Sequence, residues 1–198
     1  MREHVSDVHV QRARREGYRS RAAYKLQEIA RSDRLIAPGM TVVDLGAAPG
    51  GWSQVAAERV GPKGKVIAVD LLAMPPLRAV LFIQGDFREP KTVARIEAEL
   101  HGALVDLVVS DMAPNMSGIA VSDQASVVHL AELALEFAIN WLKPEGNLLV
   151  KTFQGAGFPE LREAVRTHFR QVLTRKPQAS RGRSSEIYLL GKGLRRQA

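Results

Sequence analysis

The stretch Thr41-Val-Val-Asp-Leu-Gly-Ala-Ala-Pro-Gly-Gly-Trp-Ser-Gln-Val55 runs from a short apolar segment into a glycine-rich turn and then a helix start. Thr41 to Leu45 are β-branched and mostly apolar, the pattern of a buried parallel strand. Gly46, Gly50 and Gly51 let the backbone turn sharply and approach a ligand closely. A helix is expected from about Trp52. Strand, turn and helix together form a cofactor cradle.

The turn itself narrows the cofactor. A dinucleotide fingerprint sets pyrophosphate on free N–H groups at a helix start, but Gly46-Ala-Ala-Pro-Gly-Gly51 contains Pro49, which has no N–H to give. S-adenosylmethionine, with a ribose diol, an adenine edge and a sulfonium cation but no phosphate, calls for carboxylates instead. One follows each of three strand patterns: Asp44 at the end of the first, Asp70 after Lys65-Val-Ile-Ala-Val, and Asp86 after Ala79-Val-Leu-Phe-Ile-Gln84. Asp residues also cap helices and turns, yet three in register with a glycine turn form a set. Trp52 either packs on the sheet or borders the cofactor.

From Thr41 onward strands and helices alternate: strand 41–45, helix 52–60, strand 65–70, strand 80–84, helix 89–100, strand 104–110, helix 123–142, strand 146–152 and helix 159–168. That order predicts an α/β, Rossmann-like fold with a mostly parallel sheet. The connectors are Gly61-Pro-Lys-Gly64, Met74-Pro-Pro76 and Lys143-Pro-Glu-Gly146. Two last strands, about 169–176 and 186–190, are joined by Pro177-Gln-Ala-Ser-Arg-Gly-Arg-Ser184 without a helix. The seventh strand is therefore expected to be the one antiparallel member. Upstream, Ser20-Arg-Ala-Ala-Tyr-Lys-Leu-Gln-Glu-Ile-Ala30 repeats apolar residues at helical spacing and predicts a helix capped by Ser20. Lys25 stands at the edge of its apolar face. The preceding Val10–Arg21 segment is too charged for a core element, and Tyr18 among its arginines suits RNA.

At 198 residues the chain suits a single domain, residues 1–198. Residues 1–34 form a basic extension and helix, and 35–198 the α/β core. Its 45% hydrophobic and 25% charged content are those of a globular protein, and no apolar run is long enough for a membrane span. The N-terminal residues carry no apolar signal core, so a cytoplasmic protein is expected. With no cysteine, thiolate metal sites and cysteine nucleophiles are excluded. His4, His9, His101, His129 and His168 lack metal-ligand spacing, so no metal is expected.

The net charge of +7 is segregated along the chain. Residues 1–34 carry nine Lys/Arg against five Asp/Glu, residues 35–161 nine against fourteen, and residues 162–198 ten against two. An acidic centre holding a cationic cofactor, between basic ends holding phosphates, gives this division. Arg181 and Arg183 are the candidates for phosphate contacts.

Ligands in open α/β sheets lie beyond the carboxyl ends of the strands. There, strand 104–110 delivers Asp111 into Met112-Ala-Pro-Asn-Met-Ser-Gly118, and strand 146–152 delivers Lys151. Burial and nearby cations favour the neutral amine of a strand-end lysine, which could take a proton; pairing with Asp111 alone is the other use.

Lys25, Asp111, Lys151 and Glu186, with Asp44-Leu-Gly-Ala-Ala-Pro-Gly-Gly-Trp52, resemble the FtsJ/RrmJ family of S-adenosylmethionine-dependent RNA ribose 2′-O-methyltransferases. The resemblance spans nearly the whole chain. The strings Ser20-Arg-Ala-Ala-Tyr-Lys-Leu26, Val109-Ser-Asp-Met-Ala-Pro-Asn115, Val150-Lys-Thr-Phe153 and Arg183-Ser-Ser-Glu-Ile-Tyr188 are similar to the family's four catalytic blocks. It implies a Lys-Asp-Lys-Glu tetrad around a target ribose, with Lys151 as principal catalytic residue. It also implies cofactor contacts from Gly50, Trp52, Asp70, Asp86 and Asp111, with Asp70 on the ribose and Asp86 near the adenine. Asp44 and Gly46 join that set from the reading of the turn.

The compact form is most similar to bacterial members that methylate a uridine in the A loop of 23S ribosomal RNA. The expected partner is thus the large ribosomal subunit, and the expected state a monomer. Relatives that modify tRNA keep a second substrate open. A catalytically silent ribosome-assembly factor is the alternative of another class, and it predicts damage to the tetrad. A base-methylating enzyme would need a cysteine or an Asp/Asn-Pro-Pro-aromatic motif, and neither is present.

Overall fold

A computed structural model describes residues 8–114, 117–180 and 184–195. Two N-terminal helices, α1 (Val8–Glu16) and α2 (Ala22–Ser32), precede β1 (Thr41–Leu45) and α3 (Gly51–Val60). Then come β2 (Lys65–Asp70), β3 (Leu81–Gln84), α4 (Pro90–Leu100), β4 (Val105–Ser110), α5 (Ala120–Trp141), β5 (Leu142–Phe153), α6 (Phe158–His168), β6 (Phe169–Arg175) and β7 (Glu186–Leu194). The strands form one seven-stranded sheet in the order β3-β2-β1-β4-β5-β7-β6. β7 runs antiparallel to both neighbours, and the other pairings are parallel.

Alternation along the strands sorts their side chains between two cores. Val43, Leu45 and Val108 face the cluster built by Ile96 of α4, Ala134 of α5 and Leu161 of α6. Val42, Leu107 and Val109 face Leu26 and Ile29 of α2 and Val55 of α3. The sheet is covered on both faces, which is why its central strands are apolar throughout rather than half polar. Strand direction and register then bring one end of the sheet to chemistry. Antiparallel β7 sets Tyr188 opposite Lys151 and Glu186 opposite Phe153.

Two local expectations are corrected. Ser20 does not cap α2: the N-cap is Arg21, without a side-chain cap bond, because the Ser20 hydroxyl packs against Gly51 at the start of α3. The charged 10–21 segment, whose first part lies in α1, stays outside the main core as expected: α1 buries only Ala13, in a small cluster with Tyr24 and Ala179. Lys143–Gly146 is not a connector outside the sheet; it lies within β5, and the pairing with β4 shifts register between Val105 and Leu107. Among the described residues no helix is long and apolar enough to cross a membrane.

Candidate active site

The ends of β1, β2, β3 and β4 open onto a cavity of about 570 Å³ whose lining includes Gly46, Asp70, Asp86 and Asp111. It lies at the carboxyl ends of parallel strands, beside the point where the strand order reverses between β1 and β4. Gly46 is required there: a Cβ at this residue would sit 2.3 Å from Met112 Cγ. The turn after β1 and the loop after β4 therefore close together only around a glycine.

The acidic residues occupy different environments. Asp70 accepts hydrogen bonds from Ala48 N and Leu72 N, each at 2.8 Å, and so joins the glycine turn to the loop after β2. Asp86 is held by the backbone and guanidinium of Arg88, which keep its carboxyl below the ordinary range. Asp44 is fully buried. Burial pushes its carboxyl up to about 7, against the pull of the Ser53 hydroxyl, which donates to Oδ2 at 2.6 Å.

Asp44, Gly50 and Trp52 do not line the cavity. Gly50 holds a φ of 109° and is packed so tightly that a Cβ would lie 2.7 Å from both Met74 Sδ and Leu77 Cδ1. Trp52 is buried, donates from Nε1 to Ala22 O at 2.8 Å, and packs its ring 5.5 Å from that of Tyr188.

The four residues of the tetrad come from four elements and meet as two ion pairs. Lys25 Nζ of α2 lies 2.7 Å from Glu186 Oε1 of β7. Lys151 Nζ of β5 lies 3.2 Å from Asp111 Oδ1 and donates to the Asp111 carbonyl at 2.5 Å. Both lysine side chains are only 7% exposed, so neither pair is a solvated surface bridge. Burial pushes the Glu186 carboxyl up, but Lys25 and the Ser180 hydroxyl pull it further down, to a net value below the ordinary one.

Two partners were not among the predicted site residues. The Tyr188 hydroxyl bridges the pairs, 2.8 Å from Asp111 Oδ1 and 3.3 Å from Glu186 Oε1. Ser180 donates to Glu186 Oε1 at 2.8 Å. The period of a strand points to the first: Tyr188 lies two residues after Glu186 and shares its face. His129, assigned no role from the sequence, lines the cavity from α5. Tyr18 is engaged within the fold, donating to Glu58 and accepting from Gln27. Arg181 and Arg183 lie outside the described residues. No group of three or more His, Cys, Asp or Glu able to hold a metal occurs among the described residues.

Residues 18–194 match the family described as FtsJ-like methyltransferase. The chain belongs to that family. Among FtsJ-like relatives, the ribosomal RNA large subunit methyltransferase E of Nitrosospira multiformis is 61% identical over 98% of this chain and 95% of its own length. The protein of the same name from Methylobacillus flagellatus is 60% identical, over 96% and 92%. A crystal structure of a chain described as a ribosomal RNA methyltransferase from Plasmodium falciparum superposes with a TM-score of 0.81. It is 30% identical and covers 89% of this chain and 98% of its own. The FtsJ-like fold thus has the mostly parallel seven-stranded sheet read from the sequence.

Proposed function

We propose that this chain transfers a methyl group from S-adenosylmethionine to a ribose 2′-hydroxyl, that of a uridine in the A loop of 23S ribosomal RNA. Lys151 is the general base of a tetrad completed by Lys25, Asp111 and Glu186. One observation carries the reading: Asp111 lines the cofactor-sized cavity and is also the ion-pair partner of Lys151. The proton acceptor is therefore one side chain away from the cavity. The large-subunit names of the relatives support the RNA, and the motif resemblance supports the ribose oxygen.

S-adenosylmethionine fits the residues present. The cavity has the volume of a small-molecule site, Asp70 and Asp86 offer carboxylates to ribose and adenine, and the Gly46 turn keeps the walls apart by no more than a glycine needs. Gly50 and Trp52 support that turn from behind, and Asp44 lies beneath it with Oδ1 buried and unpartnered. When bound, the cofactor supplies an electrophilic methyl group on a sulfonium.

A ribose hydroxyl is a weak nucleophile at neutral pH. Lys151, as the neutral amine, takes its proton during attack and later releases it to water. Asp111 orients that amine through carboxylate and carbonyl, while the Lys25–Glu186 pair fixes the other side of the pocket. Proton removal of this kind is typically worth about 10²–10⁴ in rate, and alignment of the two reactants about 7–11 kcal/mol. Alignment is the larger contribution, which accounts for two buried lysines, each paired with a partly buried carboxylate, around one hydroxyl. The protein acts as a cytoplasmic monomer on the large subunit.

The test is labelled methyl transfer to large ribosomal subunits, naked large-subunit RNA and bulk tRNA, with nuclease mapping of the label. Transfer to a 2′-oxygen of large-subunit RNA supports the proposal. Transfer confined to tRNA replaces the substrate, and no transfer with cofactor binding intact favours a silent assembly factor.

A further inference from the structure

By composition Arg19 belongs to the basic N-terminal segment, where an arginine reads as a phosphate contact. Its guanidinium is used otherwise. Nη1 donates to Pro75 O at 2.6 Å and Pro49 O at 3.3 Å, and Nη2 donates to Pro76 O at 2.7 Å. Its backbone N–H donates to Gln54 Oε1 at 2.8 Å, and Gln54 Nε2 donates to Gly17 O at 3.0 Å. The segment before α2 is thereby strapped to α3, and its arginine reaches across the glycine turn to the loop between β2 and β3.

That loop forms one wall of the cavity through Leu71 and Leu72. Both are well exposed, at 63% and 69%, so packing does little to hold them. Pro75 and Pro76 lack N–H groups with which the loop could bond itself. Of the bonds that fix it, Leu72 N to Asp70, Gln84 Nε2 to Leu71 O and Val80 N to Leu77 O come from the loop itself or from the strands that flank it. Arg19 supplies two from a distant segment, and a third bond from the same fork fixes the Pro49 carbonyl of the turn. A planar, five-donor cation reaches the three carbonyls from two separate nitrogens held in a fixed fork, whereas an ammonium offers its three donors from a single atom.

We infer that Arg19 is a positioning residue of the cofactor cavity, clamping the 71–80 loop to the glycine turn through the Pro49, Pro75 and Pro76 carbonyls, and is not one of the arginines that hold RNA. The inference rests on reading the cavity as the S-adenosylmethionine site. It links the stretch that delivers Lys25 to the wall that closes on the cofactor.

The experiment measures S-adenosylhomocysteine affinity by calorimetry, together with large-subunit RNA affinity across a salt series, for the wild type, Arg19→Gln and Arg19→Lys. The expected result is a cofactor Kd and a KM for S-adenosylmethionine raised about tenfold in both variants, the range of a lost charge-assisted bond. kcat at saturating cofactor, RNA Kd and the salt slope stay within about twofold. A weakened RNA Kd with a slope reduced by about one in Arg19→Gln, restored in Arg19→Lys, with cofactor affinity unchanged, overturns the inference. Gln54→Ala, which unfastens the Arg19 backbone, covers a failure of the arginine variants to fold: it raises the cofactor Kd in the same direction, and an unchanged Kd overturns the inference. A wild type that binds no S-adenosylhomocysteine overturns the reading of the cavity and this inference with it, whereas normal binding by wild type and variants alike overturns the inference alone.

Discussion

The Tyr188 hydroxyl stands 2.8 Å from Asp111 and 3.3 Å from Glu186, so one buried donor serves the carboxylates of both ion pairs. Burial and the two adjacent negative charges hold its proton far above the ordinary phenol range. Tyr188 therefore acts as a fixed hydrogen-bond donor. It couples Asp111, which orients Lys151, to Glu186, which orients Lys25.

Removing that hydroxyl tests the coupling. Tyr188→Phe keeps the ring against Trp52 and is expected to fold, with melting within a few degrees of wild type. A bond from a neutral donor to a charged group is worth about 1.5–3 kcal/mol, so kcat should fall about 10–100-fold while S-adenosylhomocysteine affinity holds. Undiminished kcat would show that the two pairs work independently.

Lys151 separates chemistry from binding. Lys151→Ala removes the proposed proton acceptor and should lower methyl transfer by about 10²–10⁴, with cofactor affinity retained because the carboxylates proposed to hold the cofactor, Asp70 and Asp86, are untouched. Lys151→Arg keeps the charge on Asp111 but presents a group that stays protonated, so it should be as inactive as the alanine variant. Single-turnover rates with saturating cofactor decide this, and an active arginine variant would end the general-base role.

The resemblance of the Lys25, Asp111, Lys151 and Glu186 strings made the tetrad legible because strand-end residues are positioned by topology: once β5 and β7 pair, Lys151 and Glu186 share one end of the sheet. The alternation of apolar strands and helical repeats likewise gave the sheet, including the single antiparallel strand. What escaped depends on long-range side-chain geometry. Ser20 has the chemistry of a cap, but its hydroxyl is turned to α3 by tertiary packing. Trp52 satisfies either of two uses in sequence, and only the approach of Ala22 and Tyr188 assigns it to the core. Arg19 looks like its neighbouring arginines until the three proline carbonyls are in view.

Asp44 should make stability depend on pH in an unusual direction. Its folded value is raised to about 7 from the ordinary 3.8. Between those values the unfolded chain has released the proton and the folded chain retains it, so stability falls as pH rises through that window. For a fully buried group the loss is on the order of 4 kcal/mol. Carboxylates held low, such as Glu186 and Asp86, act oppositely and at more acidic pH: their contribution is present above their unfolded values and lost as pH falls through the folded ones. Comparison with Asp44→Asn isolates the effect. Urea unfolding should show the variant gaining on the wild type between about pH 4 and 7, and parallel curves would refute the raised value.

The basic helix α1 offers the last test, on RNA. Arg14 and Arg15 are exposed in its last turn, and no ion pair or hydrogen bond of their side chains competes with a phosphate among the contacts described. Arg12, by contrast, is paired with Glu16 at 2.8 Å. Each phosphate neutralised releases condensed counterions, so the logarithm of the association constant should fall linearly with the logarithm of salt concentration, and each arginine lost from the interface should reduce the slope by nearly one. Arg14→Ala and Arg15→Ala are therefore expected to weaken binding to large-subunit RNA and flatten the salt dependence. Arg12→Ala should do so less, because its guanidinium is already engaged by Glu16 rather than free for a phosphate. Equal slopes for all three variants and the wild type would move the RNA interface away from α1.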